Sequence, residues 1–241
     1  MNLRQFTLPL STLTCFGHSL SAADAGKVRL FVLAGQSNIR EVAPDAAFTP
    51  AVKQAYPNDD VVVVHYAEGG TPIRRWWQGW PGPHDVSAAG ADQAPGDLYV
   101  TLMTNVKTAL AGRTPDTVVL AWMQGERDAK SGLSASYEQA LKGLIQAVRD
   151  DLKQPNMAFV IGRLSDHLKG KDHWDAVRAI QEKVAMQDPR GAWVDTDDLN
   201  GVKNDLHCTK DGFVELGRRF AAKSVELLAR PHTPAINPAK L

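Results

Sequence analysis

"VRLFVLAGQSN", residues Val28 to Asn38, is the stretch on which the reading of the fold turns. Its first seven residues are rich in branched apolar side chains, the pattern of a strand buried on both faces. The run then stops on Gly35-Gln36-Ser37-Asn38. Taken alone, Ser37 has two meanings. It is a helix N-cap after a strand-to-helix turn, or a nucleophile held at the end of a sheet. Ligands of open α/β sheets gather beyond the carboxyl ends of the strands. The second meaning therefore depends on whether the rest of the chain builds such a sheet.

Four further runs repeat the pattern: "VVVVHYA" (61–67), "TVVLAWM" (117–123), "MAFVIGRL" (157–164) and "AWVDTD" (192–197). Between and after them lie segments with helical spacing of apolar residues. "DLYVTLMTNVKTALAG" (97–112) opens on Asp97 and closes on Gly112. "SASYEQALKGLIQAVRDDLK" (134–153) aligns Tyr137, Leu141, Leu144 and Val148. "HWDAVRAIQEKVAMQD" (173–188) aligns Val177, Ile180 and Val184. "TKDGFVELGRRFAAKSVELLAR" (209–230) turns Phe213, Leu216, Phe220 and Val225 inward. Strands alternating with helices predict an α/β sandwich around a five-stranded parallel sheet.

The length of 241 residues suits one domain, and 44% hydrophobic residues suffice for a sizeable core. The formal net charge is +0, which gives no electrostatic reason to expect nucleic acid or an anionic membrane as partner. Beyond the first 25 residues there is no apolar run of about 18 residues, so no membrane span is expected. Residues 1–25 read as a secretory signal peptide: Arg4, a mildly apolar stretch from Phe6 to Leu20, then Ala23 and Ala25 in an A-x-A arrangement. The expectation is a secreted or periplasmic protein with a single domain over residues 26–241. Cleavage would leave Cys208 as its one thiol, without a disulfide. Cys208 itself reads as a small packing residue.

Three strand ends carry chemistry. The first ends at Ser37, the second at "EGGT" (68–71) and the third at "QGERD" (124–128). "NDLH" (204–207) precedes the last helix. These are the parts of nucleophilic acyl transfer: a serine hydroxyl, a histidine base and donors for an oxyanion. The backbone N–H groups of Ser37 and of Gly69 or Gly70 suit the oxyanion, with the side-chain amide of Gln124 as a third donor. The connection from Glu68 to Gly96 is long and irregular, which points to function. Its Trp76, Trp77 and Trp80 read as platforms for sugar rings, or alternatively as packing on the body. Arg74 and Arg75 beside them read as solvated charges, or, with an acidic sugar as substrate, Arg74 as a contact to it. His65 reads as a core residue, and His84, His167 and His173 as solvated. No histidine has metal-ligand spacing, and no cofactor is expected.

The blocks "GQSN", "GGT.I..W", "WMQGE.D" and "LH....G..ELGRR.A" run in order from Phe31 to Ala221. Together they resemble the SGNH-hydrolase superfamily, and within it the sialate O-acetylesterase and acetylxylan esterase group (carbohydrate esterase family six). The resemblance implies a flavodoxin-like three-layer α/β/α fold and a metal-independent serine esterase. Ser37 would be the nucleophile, His207 the base, and Gln124 an oxyanion donor. Ile39 and Arg40 depart from the family's usual first block, which bears on the shape of the pocket. Many SGNH enzymes place Asp three residues before the histidine, where this chain has Asn204. The missing carboxylate is then sought in Glu126, which the resemblance favours, with Asp205 as alternative and Asp128 third. The reading is an esterase that removes O-acetyl groups from xylan, sialic acid or a related glycan through an acetyl-enzyme on Ser37. Its rivals are a lipase or arylesterase of the same fold and a non-catalytic carbohydrate-binding protein.

Overall fold

A computed structural model describes residues 26–82 and 93–231. The signal-peptide expectation and His84 fall outside the described residues. Five strands, β1 (Val28–Gly35), β2 (Asp60–Ala67), β3 (Thr117–Met123), β4 (Ala158–Gly162) and β5 (Gly191–Val194), form one sheet in the order β2-β1-β3-β4-β5. Every pairing is parallel. This is the flavodoxin-like order, with its topological switch point between β1 and β3.

Alternation along the strands explains the layers. Leu30, Val32 and Ala34 of β1, with Val118, Leu120 and Trp122 of β3, face one core. Phe31, Leu33, Val119, Ala121 and Met123 face the other. The first core is closed by α3 (Asp97–Leu110), α5 (Ser134–Asp151) and α6 (Asp172–Gln187), through residues such as Leu102, Tyr137, Leu144 and Val177. The second is closed by α2 (Phe48–Ala55) and α7 (Lys210–Ala229), through Phe48, Val52, Leu216 and Phe220. Phe31 and Phe48 meet edge to face at 5.7 Å. Each fully buried side chain of this size contributes on the order of 1.5–3 kcal/mol.

All five strands and the four long helices match the sequence reading to within a few residues. Three helices were absent from it: α1 (Ser37–Arg40), α2 and α4 (Glu126–Lys130). α1 and α4 have four and five residues, too few for periodicity to register. α2 carries Pro50 in its first turn, which punctuates the pattern although a helix tolerates proline there.

Two of these short helices follow glycines of nearly equal φ. Gly35 at the end of β1 has φ 144°, and Gly125 after β3 has φ 145°. An L side chain is strained in both conformations. At Gly35 there is also no room: a Cβ would lie 2.0 Å from the carbonyl oxygen of Met123. That same carbonyl accepts the N–H of Gln36 at 2.9 Å. Gly35→Ala should therefore prise β1 from β3 where the chain leaves the sheet. The expected outcome is a loss of at least ~2 kcal/mol in denaturant unfolding together with a collapse of esterase activity; unchanged stability would contradict this account of the turn.

Candidate active site

Ser37 opens α1 one turn beyond Gly35, at the carboxyl end of β1. His207 arrives from the far end of the chain, on the loop before α7. That helix is fixed by Thr209, whose hydroxyl accepts the N–H of Gly212 at 3.0 Å and whose own N–H donates to Leu199 O at 2.9 Å. The fold brings His207 Nε2 to 3.0 Å from Ser37 Oγ. Ser37 is 9% exposed, whereas His207 stands on the rim.

The two residues border a cavity of about 470 Å³, whose walls include Gly69, Gly70, Glu126, Arg127 and Lys130. Glu126, the first residue of α4, is 2% exposed. Burial pushes its carboxyl above the usual range, while the Asn38 amide and Lys130 pull it back. Its Oε1 accepts Asn38 Nδ2 at 2.8 Å, and its Oε2 has no partner among the described residues. Asp205, the alternative acid, is exposed and does not border the cavity. Asn204 has φ 47°; its backbone carbonyl accepts His167 Nδ1 at 2.6 Å and its N–H donates to Gly201 O at 3.0 Å. His167 is thus not simply solvated; it also meets the Trp174 ring edge to face. His65 bonds Ile39 O through Nε2 at 2.8 Å. Burial pushes the Cys208 thiol up to about 12, so it is no nucleophile at neutral pH.

Several expected contacts lie elsewhere. Gln124 is fully buried, and its amide donates to Asp128 Oδ2, to Thr71 O at 3.1 Å and to Gln36 Oε1 at 3.3 Å. It forms the floor of the site, with no donor turned to the cavity, because Asp128 and the Thr71 carbonyl compete for the same N–H groups. Trp76 and Trp80 belong to the core, Trp76 packing edge to face on Trp122 at 5.3 Å. Trp77 is half-buried and lies on the backbone of α5 at Gly143. None of the three borders the Ser37 cavity, so the loop's indoles serve packing. Arg74 is 2% exposed and donates to Gln93 O at 2.9 Å. The cations at the cavity are instead Arg40, Arg127 and Lys130. Arg127 and Lys130 follow the "QGE" block on one short helix, a signal that the sequence reading passed over. Arg127 Nε also donates to Gly70 O at 2.8 Å and so fixes the second strand's exit.

Ser37, Gly69 and Gly70 border the cavity, and their backbone N–H groups have no acceptor among the described residues. Among those residues, too, no group of three or more His, Cys, Asp or Glu is placed to hold a metal.

With this geometry in view, a family model described as carbohydrate esterase, sialic acid-specific acetylesterase, matches residues 33–226. The chain belongs to this family. It is an esterase that acts on acetylated carbohydrate. Among solved structures, the esterase is similar to a protein from Arabidopsis thaliana at 19% identity and a TM-score of 0.64, over 83% of this chain and 98% of that one. A carbohydrate acetylesterase from Xanthomonas citri aligns at 18% identity and 0.61, over 82% and 56% of the two chains. NanS aligns at 15% and 0.60, over 85% and 98%. These likenesses show the fold. No curated protein sequence matches.

Beneath the site of the esterase, Asp128 is fully buried and its carboxyl is pushed up to about 7, chiefly by burial, against the opposing bonds from Gln124 and the Ile73 N–H. A carboxyl that holds its proton more tightly in the folded state makes that state bind more protons than the unfolded one. Stability then falls as pH rises from the ordinary carboxylate range through about 7. Asp128→Asn keeps the acceptor for both donors and removes the ionisation. Thermal melts should show wild type losing stability relative to Asp128→Asn between pH 5 and pH 8; a difference independent of pH would refute the assignment.

Proposed function

We propose that the esterase cleaves acetyl esters of an acidic sugar, with Ser37 as nucleophile, His207 as base and Glu126 as the acid that supports the imidazole. The observation that carries this reading is the 3.0 Å contact between Ser37 Oγ and His207 Nε2 above a buried carboxylate in one cavity. Ser37 attacks the acetyl carbonyl while His207 takes its proton. The developing oxyanion is met by the N–H groups of Ser37 and the Gly69-Gly70 turn. His207 returns the proton to the departing sugar hydroxyl, leaving acetyl on Ser37. Water, deprotonated by the same histidine, then releases acetate.

Glu126 is preferred to Asp205 because it shares the cavity with His207 and keeps one carboxylate oxygen unengaged. Arg40, Arg127 and Lys130 on the wall favour a substrate that carries a carboxylate, of which sialic acid is an example. A secreted or periplasmic location, suggested by the signal-like residues 1–25, is part of this reading.

Ser37→Ala should abolish acetate release from acetylated sialic acid while leaving the melting curve unchanged; a folded variant with wild-type turnover would end the serine mechanism. Glu126→Gln should reduce kcat by orders of magnitude and Asp205→Asn by little, and the reverse ranking would reassign the acid. Lys130→Gln is expected to raise KM for the acidic sugar roughly threefold to fivefold and to leave KM for p-nitrophenyl acetate unaltered. Equal changes on both substrates would remove the carboxylate contact.

A further inference from the structure

Asn38 has no part in the chemistry above, yet its side chain joins the His207 loop to Glu126. It is 3% exposed. Its Oδ1 accepts the N–H of Cys208 at 3.0 Å. Its Nδ2 donates to the carbonyl of Leu206 at 3.2 Å and to Glu126 Oε1 at 2.8 Å. Leu206 and Cys208 are the residues on either side of His207. The orientation of the amide follows from its backbone partners, since an N–H only donates and a carbonyl only accepts. A flipped amide would forfeit all three bonds.

We propose that Asn38 is the positioning residue of the proton relay: it clamps the His207 loop by the backbone on both sides and holds Glu126 by one oxygen, leaving the other for the imidazole. This rests on the serine-esterase reading and deepens it. The need for a clamp is physical. His207 lies outside helix and strand, is exposed, and its ring bonds only Ser37 Oγ among the described residues. One ring contact does little to steady an exposed loop, so the backbone is steadied as well. Asn38 directly follows Ser37 in α1, and both are anchored by the turn at Gly35. Nucleophile, base and acid are thereby referred to one rigid step of the chain. A displacement of about 1 Å at such a site costs on the order of a hundredfold in rate.

The test uses the full chain with Asn38→Ala and Asn38→Asp, each shown to be folded by circular dichroism and a thermal melt, and p-nitrophenyl acetate as substrate. Asn38→Asp keeps the size and the acceptor for Cys208, but its ionised carboxylate cannot donate to Leu206 or Glu126. Both variants should lose roughly a hundredfold in kcat with KM within about twofold of wild type. Combined with Glu126→Gln, either should lose far less than the product of the single losses, because both residues act through His207. If Asn38→Ala does not fold, Asn38→Asp carries the test. A folded variant with kcat within about threefold of wild type, or losses that multiply independently with Glu126→Gln, would overturn the proposal. Wild type against Ser37→Ala, run alongside, reports on the serine reading separately.

Discussion

The hydrogen bond from Gln36 N–H to Met123 O, 2.9 Å long, is the last rung between β1 and β3, and the site is assembled around it. It brings the exit of the first strand against the exit of the third, at the switch point of the sheet. Two glycines with nearly equal φ let both exits turn sharply into short helices, one led by Ser37 and the other by Glu126. Any other residue at Gly35 would put a side chain into that carbonyl. Ser37 and Glu126 are neighbours because each leads a short helix at the exit of one of two adjacent strands.

Below these turns the protein keeps a layer of buried polar groups. The carbonyl of Gln124 accepts Tyr137 Oη at 2.6 Å and Gln181 Nε2 at 2.8 Å. Its amide and the Ile73 N–H converge on Asp128. Such a network contributes little net stability, but each member left unpaired would cost about 1–3 kcal/mol. Its effect is specification: it ties the third strand's exit, α5, α6 and the Pro72–Ile73 turn to one geometry. The site above inherits that geometry without spending its own side chains on it.

The fold was legible because the three central strands are buried on both faces. Five runs such as Val28–Ala34 and Thr117–Met123 leave little choice but a covered parallel sheet, and the long amphipathic helices fix the layers. That Ser37, His207 and Glu126 meet at one cavity was legible from their blocks. The roles of Trp76, Trp80 and Arg74 were not, because composition cannot tell an indole that fills a core from one that faces solvent. Gln124 looked like an oxyanion donor for a similar reason: its position at a strand end is visible in sequence, whereas the direction of its amide is set by Asp128 and Thr71, far away or on another turn. Asn38 was hidden by its neighbour. Its partners at Leu206 and Cys208 lie about 170 residues on, and no local pattern announces a contact of that span.

The unequal exposure of the two reacting residues bears on the order of events. Ser37 is recessed, while His207 stands at the mouth of the cavity. In the proposed reaction an acetyl group reaches the serine while the sugar that carries it stays at the threshold, on the histidine's side. Once the ester is cut, the sugar leaves by the opening through which it came, and the departing molecule uncovers the face of the imidazole that water must meet. On that reading alcohol departure and water entry share one doorway.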